Sequence, residues 1–329
     1  MTRGIEADMV GKDHYVDIES FGPLEKVDCA LCESNEFSVV TRQKWFGEDF
    51  SIVRCNNCHL IYTNPRPTHQ WRERFYDPKY NPAMHDADRD FLYLPQQTRL
   101  PAYRRLIDFI KDDLGVAGKV LDGGCAAGQF VKMLSDAGFD ASGFERSPEA
   151  IAYGEERFGL KLILAEVDSI PVPDNTYDVV TLLHVFEHFR EPVQALKEVR
   201  RVLKPGGLIF IETVNYLKFY LFEKYFNFLK TLYLKMKSSD APVWREALPW
   251  FPFDHYYHWT AKTLNMTLEK AGFNECRSHI INNYNSEMLP DGNISKAQEY
   301  HLGAIKVLFD MSGERLNLWG VLLASAVKK

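Results

Sequence analysis

The sequence lacks a long apolar run, an excess of positive charge and a recognisable N-terminal targeting segment. No apolar run approaches the roughly 20 residues that a helix needs to cross a bilayer. Lys and Arg number 39 against 45 Asp and Glu, which argues against wrapping nucleic acid, since that usually calls for a basic face. The first residues carry acids and no apolar segment, so we expect no signal peptide and a cytoplasmic protein without a nucleic-acid partner.

Cysteine is scarce, and most of the cysteines occur in two closely spaced pairs. In a reducing compartment the six cysteines are not expected to form disulfides. Four of them form two C-x-x-C pairs, Cys29 with Cys32 and Cys55 with Cys58. Two such pairs can place four thiolates at the corners of a tetrahedron, a closed site without room for water. We therefore predict a structural zinc ion, with unligated core thiols or a redox pair as the alternatives.

The segment between the two cysteine pairs reads as a β-hairpin. Its 22 residues contain SVVTR and SIVR on either side of a turn at Gly47. So small a ribbon cannot bury enough apolar surface alone, and a metal staple would compensate for that. We predict an N-terminal tail over residues 1–24, a zinc ribbon over 25–67 and a connector over 68–97.

From residue 98 onward, strand-like and helix-like segments alternate. Five segments read as strands: KVLDGG, FDASGFE, KLILAEV, YDVVTLLHV and LIFIETV. Strands joined by single helices imply parallel βαβ units, and therefore an α/β fold with a sheet covered on both faces. Two more strands follow, ECRSHIINNY and LWGVLLASAV. We predict one α/β domain over residues 98–329, with insertions at about 216–253 and 285–315.

The first strand runs into a turn of small residues, VLDGGCAAGQF. Ligands of open α/β sheets lie at the carboxyl ends of the strands, so this turn is the expected binding loop. A dinucleotide would call for G-x-G-x-x-G and a helix N-terminus free for pyrophosphate. Here only Gly124 and Gly128 fall in a D-x-G-x-A-x-G frame, and Asp122 stands where phosphate would approach. The carboxylate favours a cationic, phosphate-free nucleoside such as S-adenosylmethionine.

The chain from about residue 98 to its end resembles class I S-adenosylmethionine-dependent methyltransferases. VLDGGCAAG resembles the first motif of that family, GFERSPEAI resembles the second, and AEVDSIPVPDNTYDVV resembles the third-strand stretch. LLHVFEHFREPVQALKEVRRVLKPGG is similar to the segment before strand five. The resemblance implies a Rossmann-like sheet of seven strands, mostly parallel with an antiparallel last strand. It implies that these residues bind the cofactor: Asp122, Gly124, Ala126, Gly128, Glu145, Glu166, Val167 and His184.

The resemblance also implies a role for individual residues. Asp122 should hold the methionine ammonium, Glu145 the ribose hydroxyls, and Glu166 with the Val167 backbone the adenine edge. The alternative for both glutamates is a solvated loop acid. Ala126 stands where the family usually has glycine, and we expect a negative φ there because of its methyl group.

Candidate proton acceptors occur in two segments, LLHVFEHF and DHYYHWT. Methyl transfer is an in-line displacement, in which the protein mainly aligns the nucleophile and removes its proton. We predict His255 as the base, because an imidazole titrates near neutral pH, and His188 and His184 as further catalytic residues. The alternative for each histidine is a packing or capping role.

HVFEH also resembles the E-x-x-E-H segment by which some ubiquinone-pathway and small-RNA methyltransferases bind a divalent ion. His184 replaces the first acid of that segment. Under this alternative, His184, Glu187, His188 and a histidine from DHYYH form a metal site.

Only the segments outside the core of the α/β domain bear on the identity of the methyl acceptor. Aromatic residues and lysines fill the first insertion, which predicts a lid over the acceptor, an extra core layer, or an interfacial helix at 216–237 that touches a membrane. A zinc ribbon before such a domain also resembles bacterial methyltransferases of glycan and antibiotic-sugar pathways. We predict a monomer or homodimer that methylates a hydroxyl or carbon of a small molecule, a sugar or glycoconjugate. The alternatives are a quinone or phenolic acceptor, RNA, and a non-catalytic binding module.

Overall fold

The computed structural model describes residues 22–45, 48–76, 93–94, 99–114, 118–216, 254–281 and 321–329. The two predicted insertions lie outside these ranges, apart from the first residue of one, and so do most of the predicted tail and connector. No helix within the described ranges is long and apolar enough to cross a membrane.

The described chain forms two sheets with flanking helices, and a short two-stranded pair. The N-terminal elements are β1 (Leu24–Glu25), β2 (Phe37–Trp45), β3 (Glu48–Cys55), β4 (Ile61–Thr63), β5 (Arg66–Pro67) and α1 (His69–Tyr76). The next are α2 (Leu100–Leu114), β6 (Lys119–Gly123), α3 (Gln129–Asp136), β7 (Asp140–Glu145), α4 (Pro148–Phe158), β8 (Ile163–Leu164) and β9 (Tyr177–Leu183). The last are a 3-10 turn (Phe186–His188), α5 (Pro192–Val202), β10 (Leu203–Val214), β11 (Tyr257–His258), α6 (Ala261–Lys270), β12 (Asn274–Ile281) and β13 (Val321–Val327).

The larger sheet has seven strands in the order β12-β13-β10-β9-β6-β7-β8. Strands β6 to β10 pair in parallel, and β13 is antiparallel to both of its neighbours. This order confirms the predicted Rossmann-like sheet with its antiparallel last strand. Parallel pairing brings the carboxyl ends of β6, β7, β9 and β10 to one edge, where the chain order reverses between β6 and β9.

Local signals place the helices that flank this edge. The Ser147 hydroxyl accepts a hydrogen bond from the Ala150 amide at 3.1 Å, and Pro148 occupies the first turn of α4. Helix α6 begins with a capping box between Thr260 and Thr263. These caps fix where each helix starts and therefore where the loops at the carboxyl edge end.

The third strand is shorter than predicted. We expected Glu166 and Val167 to end it, but β8 contains only Ile163–Leu164. The strand lies at the edge of the sheet, with β7 as its neighbour, and the Ala165 amide makes its last contact with the Glu145 carbonyl at 3.0 Å. Beyond that bond the chain leaves the sheet, so Glu166 and Val167 lie in the following loop.

The smaller sheet is antiparallel and has the order β11-β4-β3-β2. Strands β2 and β3 form the predicted hairpin, although Gly47 at its turn lies outside the described residues. The fourth strand comes from the other end of the chain, since β11 pairs with β4 through Tyr257 opposite Tyr62 and His258 opposite Ile61. The cysteine-containing ribbon therefore shares a sheet with the segment that carries the DHYYH histidines.

Arg66 ties the ribbon to the larger domain from a buried position. Its Nη1 donates to the Arg190 carbonyl at 2.7 Å and to the Tyr257 hydroxyl at 3.2 Å. It also pairs with Glu25 at 2.8 Å and with Glu191 at 3.0 Å. Glu191 is largely exposed, so that ion pair contributes little, and the bonds to the buried acceptors stabilise the junction.

We expect Arg66→Ala to lower the free energy of unfolding by about 2 kcal/mol, because buried acceptors lose a donor and the side chain leaves a gap. Urea denaturation followed by circular dichroism measures this. Arg42→Ala, an exposed arginine on β2, is the matched control and should change stability by less than about 0.5 kcal/mol. Equal unfolding midpoints for the two variants would contradict the assignment of Arg66 as the link.

Candidate functional site

A buried carboxylate lies at the end of the first strand of the larger sheet. Asp122 is 3% exposed, and the Thr181 hydroxyl on neighbouring β9 donates to its Oδ1 at 2.6 Å. The amides of Gly124 and Cys125 both donate to the Phe144 carbonyl, at 2.9 and 3.1 Å, which binds the glycine loop to β7. The loop is thus held next to the carboxylate by the strands on either side.

Burial raises the pKa of Asp122 to about 7, and the nearby Glu145 adds to the rise while the Thr181 hydrogen bond opposes it. The carboxyl group is therefore close to half-protonated at neutral pH, and a cationic ligand would favour its ionised form. Burial also raises the pKa of the Cys125 thiol well above its ordinary value, so that thiol stays protonated.

The glycine loop uses left-handed backbone conformations where its close contacts require them. Gly124 has φ of 64° and Gly128 has φ of 78°. A Cβ on Gly124 would lie 2.4 Å from Cγ2 of Val185, in the segment after β9, so only glycine fits there. The expected negative φ at Ala126 is wrong, since its φ is 48°. Its amide donates to Glu145 Oε2 at 3.1 Å, which offsets a strain of roughly 1 kcal/mol.

The two predicted nucleoside-binding glutamates lie in different surroundings. Glu145 ends β7 beside the loop, and its Oε1 accepts hydrogen bonds from the Arg146 and Ser147 amides at 2.8 and 2.9 Å. Glu166 has a side chain that is 52% exposed and lies 3.9 Å from the Arg146 guanidinium. Val167 is half-buried against the core. Glu145 therefore faces the loop, whereas Glu166 lies in a solvated position, as in its alternative interpretation.

Directly after β9, the chain turns inward at His184, whose φ is 55°. Its amide donates to the Glu212 carbonyl at 2.7 Å, and its ring Nε2 donates to Glu212 Oε1 at 2.8 Å. Its Nδ1 lies 3.9 Å from Glu187 Oε1. Both glutamates are buried, so the imidazole lies between two carboxylates at the carboxyl ends of β9 and β10.

The other predicted histidines converge on the same place. Glu187 and His188 belong to the 3-10 turn, and the Tyr256 amide donates to the Glu187 carbonyl at 3.0 Å. This bond brings in His255, whose ring centroid lies 4.8 Å from that of His188. Each of three residues offers one possible ligand atom, and these atoms all lie within 4.8 Å of one another: Glu187, His188 and His255. We call Glu187, His188 and His255 the histidine cluster.

Each member of the histidine cluster has a hydrogen-bond partner from a neighbouring element. An imidazole or carboxylate held in this way presents its remaining atom in a fixed orientation, as metal ligands and catalytic bases require. The three pairs are His188 Nδ1 with Asp254 Oδ1 at 3.1 Å, His255 Nδ1 with the Tyr216 hydroxyl, and Glu187 Oε2 with the Thr213 hydroxyl at 2.8 Å.

The two imidazoles of the histidine cluster have pKa values shifted in opposite directions. Burial disfavours charge on His188, but the Asp254 carboxylate and Glu187 together raise its pKa to about 9. Burial and the charge on His188 lower the pKa of His255 to about 4. Burial raises the pKa of Glu187, yet His188, His255 and His184 bring it below its ordinary value. At neutral pH, His188 is charged and His255 is neutral, so His255 is the member that can accept a proton.

The four predicted zinc ligands form a second cluster. Cys29 Sγ lies 3.4 Å from Cys58 Sγ, and Cys32 Sγ lies 3.4 Å from Cys55 Sγ. All four sulfurs lie within 4.8 Å of one another. A disulfide bond would be about 2.05 Å long, whereas sulfurs that share a tetrahedral zinc ion at 2.3 Å lie about 3.8 Å apart. The donor set therefore fits a four-thiolate zinc site.

Sequence reasoning missed three polar residues that complete these arrangements. Thr181 bonds Asp122, Glu212 bonds His184, and Thr213 bonds Glu187. A signal was present, because the strands YDVVTLL and LIFIETV are mostly apolar, with Asp178 as the one other acidic residue besides these positions. A polar side chain in a buried strand is costly unless it is paired, and this could have identified them.

Comparison with known proteins adds the following. A family profile described as "Methyltransferase domain" matches residues 96–277. A ubiquinone biosynthesis O-methyltransferase of Methylococcus capsulatus is 32% identical over 116 residues, which cover 33% of this chain and 49% of that protein. One of Hydrogenovibrio crunogenus is 29% identical over 117 residues, with 33% and 48% covered. The chain spans about half the length of these relatives. A solved "SAM dependent methyltransferase" from Aquifex aeolicus is 18% identical, with 74% of this chain and 100% of that chain covered and a TM-score of 0.44.

We expect the affinity for S-adenosylmethionine to increase as the pH rises through about 7, because protonation of Asp122 removes the charge that faces the cation. For a carboxyl with that pKa, binding should be roughly tenfold weaker at pH 6 than at pH 8. Calorimetric titration across this range measures it. Asp122→Asn should bind weakly with a flatter pH profile, and Asp136→Asn, an exposed aspartate on α3, should behave like the wild type. A pH-independent affinity of the wild-type protein would contradict the role of Asp122.

Proposed function

The chain belongs to the methyltransferase-domain family, and on that basis we propose that it transfers a methyl group from S-adenosylmethionine to an acidic hydroxyl of a small acceptor, of which a phenol is the best candidate. One observation carries the proposal: a buried carboxylate beside the glycine loop and the partly buried histidine cluster both lie at the carboxyl ends of the parallel strands. The first suits a cationic nucleoside, and the second suits proton removal from a nucleophile beside it.

The residues at the glycine loop suit the cofactor in charge. Asp122 would hold the ammonium group, and Glu145 would hold the ribose hydroxyls from the end of β7. Gly124 lets the loop pack directly against Val185, since a Cβ there would lie 2.4 Å from Val185 Cγ2. A pyrophosphate would be repelled by the carboxylate, which disfavours a dinucleotide. When bound, S-adenosylmethionine supplies a methyl group on a positively charged sulfur, which leaves as a neutral thioether.

His255 is the best candidate for the base. It is neutral at neutral pH, and the hydrogen bond between its Nδ1 and the Tyr216 hydroxyl orients its ring. A pKa of about 4 makes the imidazole a weak base, which matches poorly with an aliphatic alcohol and better with a more acidic hydroxyl. This favours a phenolic acceptor over the sugar or glycoconjugate, which remains a prediction from sequence alone.

A divalent cation at the histidine cluster would be an alternative to proton removal by His255. Two imidazoles and a carboxylate are a suitable donor set for a transition-metal ion. Glu187, His188 and His255 would hold it, and it would lower the pKa of a bound hydroxyl, so that His255 would act as a ligand in place of a base. The hydrogen bonds on the far side of these ligands support this role, since metal-binding histidines usually have such partners. The names of the ubiquinone-pathway relatives point to an acceptor of the same class.

The cysteine cluster would hold a zinc ion with a structural role. Its four sulfurs fill all positions of a tetrahedral site, so no position is left for an acceptor or water. The ribbon has too small a core to fold reliably without such a staple, and it lies against the larger domain through Arg66 and β11.

We expect transfer of labelled methyl groups to ortho-dihydroxy phenols, and none to nucleotide sugars. Glu187→Gln should lower turnover by roughly 100-fold and weaken Mn²⁺ binding, while calorimetry shows unchanged cofactor affinity. Glu149→Gln, on α4, serves as the matched control and should retain full turnover. Transfer to sugars alone would overturn the acceptor class, and undiminished turnover of Glu187→Gln after chelation would overturn the metal role.

Metal analysis of the purified protein should give one zinc ion per chain that resists brief chelation. Cys55→Ser should lose that zinc and lower the unfolding temperature, because the ribbon loses a cross-link between its two cysteine pairs. Cys276→Ser, which lies on β12 away from the cluster, should keep the metal and the stability. A folded, zinc-free wild-type protein would refute the site.

A further inference from the structure

The strand that follows the second cysteine pair reaches the histidine cluster. The Cys55 amide donates to the Leu60 carbonyl at 2.9 Å, which closes the knuckle just before β4 begins. Strand β4 then pairs with β11, so that Ile61 lies opposite His258 and Tyr62 opposite Tyr257. The segment 254–258 is thus aligned by a strand that the cysteine cluster holds at its start.

Thr63 ends that strand and makes three contacts with this segment from a fully buried position. Its amide donates to the Tyr256 carbonyl at 3.0 Å, and its hydroxyl donates to the His255 carbonyl at 3.0 Å. The same hydroxyl lies 3.3 Å from His258 Nε2. A threonine hydroxyl has one proton, so when it donates to the carbonyl it must accept from Nε2–H. Thr63 therefore sets the tautomer of His258 as well as the backbone position of His255.

His258 transmits this restraint to the side chain of His255 through Tyr216. The Tyr216 ring packs edge-on against the His258 ring at 4.4 Å between centroids, and its hydroxyl bonds His255 Nδ1. On the opposite side, the Tyr256 amide holds the Glu187 carbonyl. His255 is therefore restrained through its own carbonyl and through its ring, and both restraints begin at one hydroxyl.

We infer that Thr63 is a positioning residue of the methyltransferase site, and that the cysteine ribbon is built into that site rather than being a separate binding module. The inference rests on the proposed function in one respect, since it assigns His255 to the chemistry. Thr63 touches neither the glycine loop nor Asp122 in any described contact, so its effect should fall on turnover and not on cofactor binding.

The test compares Thr63→Val, which keeps the shape and removes the hydroxyl, with Thr63→Ser, which keeps the hydroxyl. Removing an orienting partner of this kind typically lowers activity by 10- to 100-fold. We expect kcat to fall by at least roughly tenfold in Thr63→Val, with an unchanged affinity for S-adenosylmethionine, and to recover in Thr63→Ser. The control is Thr267→Val, a buried threonine on α6 whose hydroxyl donates to the Thr263 carbonyl. It should lose comparable stability and retain its kcat.

A second measurement does not depend on the acceptor. The imidazole carbon–proton NMR signals of His255 and His258 should shift in Thr63→Val and return in Thr63→Ser, whereas Thr267→Val should leave them in place. If the wild type methylates no acceptor but these signals shift, the proposed function fails and the positioning role stands. If Thr63→Val keeps both its kcat and its histidine signals, the inference is overturned. Should Thr63→Val fail to fold, Thr63→Ala carries the same comparison.

Discussion

A buried carboxylate at the carboxyl end of the first parallel strand is the constraint around which the larger domain is organised. An isolated charge at that depth is unfavourable, and Asp122 accordingly has a raised pKa of about 7. Thr181 supplies one hydrogen bond from β9, and the neighbouring Glu145 adds repulsion rather than relief. A cationic ligand at this position would compensate the buried carboxylate, and the loop beside it uses positive φ at Gly124 and Ala126.

The same sheet edge carries a second set of carboxylates and imidazoles, which under the proposed function would place binding and chemistry side by side. Strand β9 supplies Thr181 to the carboxylate and, three residues later, His184 to Glu212 at the end of β10. The parallel register forces these positions to the same edge. Carboxylates and imidazoles then alternate outward through Glu187 and His188, so that neighbouring groups of opposite charge compensate one another.

Short sequence patterns predicted much of the fold and of the candidate site. Pairing between distant segments of the chain could not be predicted in this way. The glycine loop, the end-of-strand Glu145 and the cysteine pairs follow from spacing along a short stretch, and so they could be recognised. The positive φ of Ala126 depends on a hydrogen bond from another strand, and the short β8 depends on its edge position. The pairing of β4 with β11 joins positions almost 200 residues apart and leaves no periodicity in the sequence to reveal it. For the same reason, the sequence suggested a separate ribbon.

The shared sheet changes what the cysteine cluster can contribute. Bringing β4 and β11 together closes a very long loop, but the loop-closure entropy rises only slowly with length, so a modest set of contacts can hold it. Arg66 supplies some of them, and Trp259, stacked between Phe186 and Tyr257, supplies others. These contacts hold the β11 segment in place without a covalent link. They align it correctly only if β4, the strand with which it pairs, is itself rigid. A metal staple at the cysteines would provide that rigidity, and so its effect on the chemistry would be geometric, exerted at a distance from the cofactor.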